Sequence, residues 1–302
     1  MDALLFALVL SAEADAAPVM DAAPVTDAAP LLEAAPPPDA APPTDAAPIP
    51  HPAAPANPLP GFAIARVRTH EPVVALTFDA CATLKQDNGF DREVFNILKR
   101  EQIPVTVFPT GRWIETHPAE AKELAAQAWI EFGNHSYSHA RMTRIPRRKA
   151  IMQIDLTETI IAELGRKSVA FRPPAGAWNR SVVRLAARRH LPTVEWDVVS
   201  GDAGGHIAAA RIVATVLFAA KPGSIVIFHI NGRAPHTKEA LPDIIRGLRE
   251  KGFGFVTVSE LLRQPDAQPV SAPPTPFGYR PLRDRQREPE KNQGTVDAHP
   301  PG

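Results

Sequence analysis

Short apolar runs and amphipathic segments alternate from about residue 62 to 262, and this alternation restricts the fold more than any other feature of the sequence. The run VVALTF at 73–78 has the continuous apolar character of a buried strand, whereas 146–164 has apolar side chains at helical spacing. Alternating strands and helices argue for parallel strands joined by helical crossovers. Seven or so repeats favour a barrel, in which the working site lies at the C-terminal ends of the strands.

The same pattern predicts the individual elements. A proline at position 118 suits the start of a helix, because its missing N–H has no helical partner there. Strands are predicted at 73–78, 105–109, 129–133, 169–171, 193–198, 224–229 and 254–258. Helices are predicted at 91–100, 118–127, 146–164, 181–189, 207–220 and 238–251.

The two ends of the chain are rich in proline. From Asp15 a six-residue unit, DAAP or EAAP followed by two variable residues, repeats in strict succession. Proline fixes φ and removes a backbone donor, so we expect an extended tether; low-complexity sequence without a selected length is the alternative. The chain therefore divides into a signal-like segment (1–16), an acidic Ala/Pro-rich tether (17–61), a folded domain (62–263) and a disordered Pro-rich tail (264–302).

The N-terminus gives an indication of location. Residues 3–11 form a short apolar run followed by small residues, as in a secretory signal, although Asp2 stands where a basic residue is usual. The run is too short to span a bilayer as a mature helix. We expect a secreted, periplasmic or cell-envelope protein. Thirty-three basic residues balance thirty-three acidic ones, so net charge does not favour nucleic acid as a partner.

Ionisable residues follow five of the predicted strands at the point where each strand ends. Because parallel strands present their carboxyl ends at one edge of a sheet, we expect these side chains to lie close together. The residues concerned are Asp79, His135, His139, Arg172, Asp197, Asp202 and His229.

His135 and His139 form an HxxxH pair in the segment GNHSYSH. Four-residue spacing would place both imidazoles on one side of a helical turn, close enough to share a metal ion. A divalent cation there, with Zn²⁺ favoured over Co, Ni or Mn, would polarise a substrate carbonyl and lower the pKa of bound water to about 7. Two solvated loop histidines are the alternative.

Asp79 and His229 each end a very apolar strand, where a charged group is costly unless it has a partner. We interpret Asp79 as a general base kept ionised by Arg172, with a structural hydrogen-bonding aspartate as the alternative. We interpret His229 as a general acid whose pKa is raised by Asp202 or Asp197; a buried structural histidine is the alternative.

These motifs in this order resemble the polysaccharide deacetylases of carbohydrate esterase family 4, which include chitooligosaccharide and peptidoglycan deacetylases. The similar segments are LTFDA, HSYSH, FRPPAG, WDVVSGD and IVIFH, so the resemblance covers the middle two-thirds of the chain. It implies a distorted (β/α)7-type barrel. It also implies a metal-dependent hydrolase that removes N-acetyl groups from an amino-sugar polymer, with an N-acetylated glycan as the partner.

The resemblance also implies residue roles. Asp79 would be the base, Arg172 its support, and His229 the acid assisted by Asp202. His135 and His139 would be metal ligands, and the Ala175 backbone N–H would belong to the oxyanion hole. Tyr137 and Trp178 are possible sugar platforms, as is Trp113, although core packing is the alternative for each.

The sequence also departs from the family pattern. Ala80 stands where the family has a second aspartate that ligates the metal, so a further oxygen ligand is needed; Asp79 or Asp87 could supply it. Cys81 is adjacent, and we interpret it as a small buried packing residue, with metal ligation as the alternative. The departures leave two alternatives open: a non-catalytic glycan-binding module on the same fold, and an enzyme acting on a small C–N substrate.

Overall fold

The computed structural model describes residues 60–86 and 88–273. The signal-like segment, the tether up to residue 59, Asp87 and the tail from residue 274 lie outside the described residues. Within the described part, no helix is both long enough and apolar enough to cross a membrane.

Seven parallel strands form the central sheet, as the alternating pattern predicts. Their spatial order is β5-β4-β3-β2-β7-β6, and β8 pairs with the first two residues of β2. The strands are β2 Val73–Ala80, β3 Val105–Pro109, β4 Ile130–Asn134, β5 Ser168–Phe171, β6 Val198–Val199, β7 Ile225–His229 and β8 Gly254–Phe255. A separate antiparallel pair joins β1 Ile64–Arg68 to β9 Gln268–Ser271.

The helices connect successive strands. They are α1 Arg92–Glu101, α2 Gly111–Thr116, α3 Pro118–Ala125, α4 Arg147–Glu163, α5 Arg180–Ala187, α6 Ala209–Ala219, α7 Thr237–Glu250 and α8 Val258–Leu262. Local signals set several starts: the Asp91 carboxylate accepts backbone N–H bonds at the start of α1, and Pro118 is the first residue of α3 as predicted. Thr257 and Glu260 form a capping box on α8.

The segment 193–199 links the two edges of the central sheet. Thr193 forms a parallel bridge with Phe171 at the end of β5, while β6 pairs with β7 at the other edge. The connection is made by an isolated bridge at one side and a two-residue strand at the other. The result is a curved, irregular α/β fold of the expected distorted type.

Strand β2 separates two apolar cores. Its even-numbered residues belong to a helix-side core that also includes α1 and α7 side chains: Val74, Leu76, Phe78 and Ala80 with Leu98, Ile244 and Leu248. Ala75 belongs instead to an inner core with Ile64, Phe108, Val194 and Ile225. Because successive strand residues face opposite sides, the odd-numbered residues of β2 face the inside of the curved sheet.

The structure differs from the predicted elements in places where the apolar pattern is weak. The strand predicted at 193–198 is reduced to bridges and β6, and the strand predicted at 254–258 ends at Phe255, after which α8 begins. Helix α2 and strands β1 and β9 were not predicted. The folded part continues past the expected boundary at residue 263, because β9 pairs with β1; Pro269 is tolerated there in a two-stranded pair.

Gly133 on β4 gives a test of how tightly the inner core supports the site. An added Cβ would come within 2.2 Å of the Phe108 ring, and that ring lies 4.0 Å below the Arg172 guanidinium. We expect Gly133→Ala to lower the free energy of unfolding by about 1–3 kcal/mol through overpacking. Chemical denaturation measures this change.

Gly205→Ala is the matched control, since its added Cβ would meet nothing within 4 Å. We expect its free energy of unfolding to stay within about 0.5 kcal/mol of the parent value. Equal effects of the two substitutions would contradict the close contact between Gly133 and Phe108.

Candidate metal and hydrolase site

The structure brings the polar residues that follow the predicted strands to one edge of the central sheet. Asp79 lies near the end of β2, and His229 ends β7. The two residues are register partners across the β2–β7 ladder. His135 directly follows β4 and Arg172 directly follows β5. The shared direction of the strands therefore assembles a site from segments that are far apart in the chain.

Asp79 and Arg172 form a buried ion pair. Arg172 Nη1 donates to Asp79 Oδ1 at 2.9 Å, and the side-chain exposures are 4% for Asp79 and 0% for Arg172. Burial alone would raise the pKa of Asp79, but the positive charge of Arg172 and the hydrogen bond that it donates hold the pKa below its ordinary value. Asp79 is thus ionised at neutral pH and able to accept a proton.

His135 is held in one tautomer by the backbone. Its Nδ1 lies 2.8 Å from the Arg172 carbonyl oxygen, which can only accept, so Nδ1 is the donor. The other nitrogen, Nε2, is buried without a hydrogen-bond partner and lies 3.4 Å from Asp79 Oδ2. A buried imidazole nitrogen with a free lone pair is the state that a metal ligand requires.

The HxxxH pair does not lie on a helical turn as the spacing predicted. The residues form a loop after β4, in which Ser136 and His139 both take left-handed backbone conformations, with φ of 64° and 56°. The two rings still converge, with centroids 5.0 Å apart. The loop therefore brings the two imidazole rings close together, as a helical turn was expected to do.

Three potential metal ligands meet at this loop. One ligand atom each from Cys81, His135 and His139 lies within 4.8 Å of the others. Burial and the neighbouring His135 lower the pKa of His139 to about 3, and burial also lowers the pKa of His135, so both imidazoles are neutral. The residue types, the close spacing and the unpartnered His135 Nε2 fit a divalent cation.

His229 is paired with Asp202, which decides between the two carboxylates expected from the sequence. Its Nδ1 lies 2.9 Å from Asp202 Oδ1, and its backbone N–H donates to Oδ2. Asp197 instead accepts from Ser224 Oγ and the Ile225 N–H. Burial alone would lower the pKa of His229, but Asp202 outweighs burial and the pKa is raised.

The remaining predicted residues lie in different environments. Ala175 lies in a turn after β5 with left-handed φ 57° and ψ 26°. Tyr137 is half-buried, and its hydroxyl donates to Glu115. Trp178 is 5% exposed and packs in a small apolar cluster with Ala63, Ala65, Val183 and Ala272, and Trp113 is fully buried in the helix-side core. Both tryptophans thus have the core environment that the sequence left as the alternative.

Sequence reasoning did not identify Glu195. This residue is 4% exposed, its Oε1 has no hydrogen-bond partner among the described residues, and its backbone carbonyl accepts from Arg172 Nη2. Burial raises the pKa of Glu195 well above its ordinary value, and the charge of Arg172 only partly offsets this. A carboxylate within the apolar context PTVEW was the available signal.

Two asparagines that support the loop after β2 were also missed. Asn88 Nδ2 and Asn231 Nδ2 both donate to the Cys81 carbonyl oxygen, at 2.6 and 2.9 Å. Asn231 follows His229 by two residues, so it connects the β7 end of the site with the β2 end. Its place two residues after the end of the apolar strand IVIFH was the signal in the sequence.

The fold and this site define an α/β protein with a cluster of potential metal ligands at the carboxyl edge of its parallel sheet. Residues 66–194 match the family model for polysaccharide deacetylase. A peptidoglycan-N-acetylglucosamine deacetylase from Bacillus cereus is 31% identical over 193 residues, covering 63% of this chain and 68% of that protein. The chain belongs to the polysaccharide deacetylase family, which confirms the family predicted from the motifs.

Solved structures agree with this assignment. A peptidoglycan N-acetylglucosamine deacetylase bound to an N-hydroxybenzamide compound has a TM-score of 0.61 at 29% identity, covering 67% of this chain and 92% of that chain. A carbohydrate esterase family 4 pseudoenzyme from Bacillus anthracis also has a TM-score of 0.61, at 28% identity, covering 68% of this chain and 70% of that chain. These similarities confirm the α/β fold.

The extent of similarity varies among the relatives. The chain spans 54% of the length of an uncharacterised Bacillus subtilis protein, which is 30% identical over 176 residues. The family supports deacetylation of a polysaccharide as the general activity. Because one of the similar structures is a pseudoenzyme, family membership alone does not decide whether this chain is catalytic. The residues of its own site decide that question.

Glu195 generates a test of the electrostatics beside the ion pair. A carboxyl whose pKa is higher in the folded state stabilises the fold fully below its unfolded pKa of about 4.3 and loses that contribution as the pH rises towards the folded value. The free energy of unfolding should decrease between about pH 5 and about pH 8 in the parent protein. We expect the decrease to be smaller in Glu195→Gln, by about 1 kcal/mol or more. Urea denaturation at each pH measures the difference.

Glu250→Gln is the control, because Glu250 is 69% exposed. Its pH dependence should follow that of the parent protein. The interpretation of Glu195 is wrong if Glu195→Gln and Glu250→Gln give the same pH dependence.

Proposed function

We propose that this protein is a metal-dependent N-deacetylase that hydrolyses acetamide groups of an N-acetylated amino-sugar polymer, either chitin-like or peptidoglycan. The family assignment and the similarity to peptidoglycan deacetylases support the substrate class. The main structural support is the pairing of Asp79 and His229 across β2 and β7, each with its own oppositely charged partner.

This pairing gives two neighbouring groups opposite tasks. Neighbouring strands are about 4.8 Å apart, so both side chains can reach one substrate amide. Arg172 favours the ionised form of Asp79, and Asp202 favours the protonated form of His229. Environments that shift two pKa values in opposite directions are typical of a base and an acid acting in one reaction.

Asp79 acts as the general base in this mechanism. It accepts a proton from the attacking water as the water oxygen forms a bond to the acetamide carbonyl carbon. Arg172 occupies Asp79 Oδ1, so Oδ2 is the oxygen left to accept the proton. The ion pair also fixes the direction in which the carboxylate faces.

His229 acts as the general acid. Asp202 engages Nδ1, so Nε2 is the nitrogen left to donate its proton to the amine nitrogen as the C–N bond breaks. Acetate and the free amino sugar are the products. Thr237 Oγ1 donates to Asp202 Oδ2 at 3.0 Å and so helps to hold the carboxylate in place.

His135 and His139 are the proposed metal ligands, with Zn²⁺ as the favoured ion and Co, Ni or Mn as alternatives. When bound, such an ion supplies Lewis-acid polarisation of the substrate carbonyl and lowers the pKa of a coordinated water. The Ala175 backbone N–H is the proposed oxyanion donor, and Tyr137 is the proposed sugar contact, since its ring is partly exposed beside the histidine loop.

We also propose an extracytoplasmic location in the cell envelope. An N-acetylated wall polymer lies outside the cytoplasm, and two of the similar proteins named above are peptidoglycan N-acetylglucosamine deacetylases. The signal-like segment and the acidic tether predicted from the sequence suit a domain held away from a membrane within the wall.

Acetate release from N-acetylated glycans tests the proposal. Purified full-length protein supplied with Zn²⁺ should release acetate, and chelation should abolish the release. We expect Asp79→Asn to lower kcat by about 10²–10⁴-fold, since loss of a general base has an effect of this size. The exposed Asp243→Asn is the matched control, and its activity should equal that of the parent.

The non-catalytic alternative has a distinct outcome in the same experiment. The enzyme proposal is wrong if metal-loaded protein releases no acetate from chitin oligomers or peptidoglycan. Glycan binding that survives both chelation and His139→Ala would then support a glycan-binding module on this fold. Alanine at position 80, where the family has an aspartate, and the similarity to a pseudoenzyme are consistent with such a module.

A further inference from the structure

We infer that Cys81 is the third protein ligand of the metal site and replaces the aspartate that the family has at position 80. The inference rests on the metal site of the proposed function, and not on which substrate is hydrolysed. Three observations support it: the clustering of Cys81 with two histidines, the burial of Ala80 on the other side of β2, and the way the Cys81 backbone is fixed.

The first observation is the cluster itself. Within the described residues, Cys81, His135 and His139 are the one group of three potential ligands whose donor atoms all lie within 4.8 Å of one another. Cys81 is 4% exposed, and His135 Nε2 is buried without a hydrogen-bond partner. A shared ion would satisfy that nitrogen, and the Cys81 sulfur is close enough to bind the same ion.

The second observation is the alternation along β2. Ala80 is fully buried in the helix-side core with Leu76 and Phe78. Cys81 is the first residue after β2, and its sulfur clusters with His135, the residue that Asp79 contacts from the inner side of the sheet. In this chain, position 81 therefore presents a ligand atom to the histidines, and position 80 contributes to packing.

The third observation is that the loop is fixed without help from a metal. Two side-chain amides, from Asn88 and Asn231, donate to the Cys81 carbonyl oxygen. Asn231 is 1% exposed and follows β7, so the Cys81 backbone is tied to the strand that ends at His229. Side chains that hold a ligand in position from behind are a regular feature of metal sites.

The chemistry of this set is consistent with a catalytic metal. One thiolate and two imidazoles are N/S ligands of the kind that Zn²⁺ favours, and three protein ligands leave a fourth position open. A thiolate also favours Zn²⁺ or Co²⁺ over Mn²⁺ or Mg²⁺. The Cys81 thiol releases its proton to solvent as the metal–sulfur bond forms. Asp79 then remains paired with Arg172 and does not need to ligate.

Cobalt substitution tests this inference directly. Full-length protein freed of metal by chelation is titrated with Co²⁺, and the near-ultraviolet charge-transfer absorption of a cobalt–thiolate bond is recorded. Cys81 is the one cysteine in the 302 residues, so such a band in the parent protein identifies its sulfur as a ligand. We expect the band to saturate at one Co²⁺ per chain.

Two variants distinguish the contribution of the Cys81 sulfur from that of the other metal ligands. Cys81→Ala should lose the band and weaken Zn²⁺ binding at least about 100-fold, since even outer-shell partners typically account for 10–100-fold in affinity. Cys81→Asp should also lose the band but recover much of the Zn²⁺ affinity, because a carboxylate is a ligand for the same ion. Circular dichroism checks that each variant is folded.

The first two outcomes below distinguish the Cys81 assignment from the proposed activity. Co²⁺ binding without a thiolate band overturns the assignment of Cys81, even if acetate release remains metal-dependent. A thiolate band with no acetate release supports the assignment and contradicts the proposed activity. Failure of the parent protein to bind Co²⁺ or Zn²⁺ overturns both the Cys81 assignment and the metal site.

Discussion

The buried ion pair between Asp79 and Arg172 is the interaction on which the rest of the site depends. The Arg172 guanidinium also lies over the Phe108 ring and donates to the Glu195 carbonyl, while its own carbonyl fixes the tautomer of His135. Removing one member of a buried pair leaves an uncompensated charge and typically costs about 3–5 kcal/mol. Arg172 thus connects the proposed base, a proposed metal ligand and the inner core.

Much of this site follows from the sequence because parallel strands end at a common edge. Asp79, His135, Arg172 and His229 each follow an apolar run, and the direction of the strands alone predicts their convergence. The sequence did not identify which carboxylate pairs with His229, because Asp202 and Asp197 both lie near the same predicted strand. Only the structure shows that the Asp197 carboxylate accepts hydrogen bonds from Ser224 and Ile225 at the start of β7.

Other features were not predictable because they depend on long-range contacts without a local pattern. Strands β1 and β9 are about 200 residues apart in sequence, and their short segments have no clear alternation. The convergence of His135 and His139 depends on left-handed residues in a loop, and spacing suggested a helix instead. Glu195 is buried by segments that close the sheet irregularly, so its environment exists only in the complete fold.

The loop that follows β2 contains the residue that we propose in place of the family's second aspartate. Asp79 faces the inner side of the sheet, and Cys81 is the first residue after β2. In the proposed site Asp79 accepts a proton while the Cys81 sulfur binds the metal. Ala80, on the opposite face, fills the space between the sheet and the helices. The proposed third ligand is therefore one position later and lies in the loop, where two asparagine amides that donate to the Cys81 carbonyl oxygen hold the backbone.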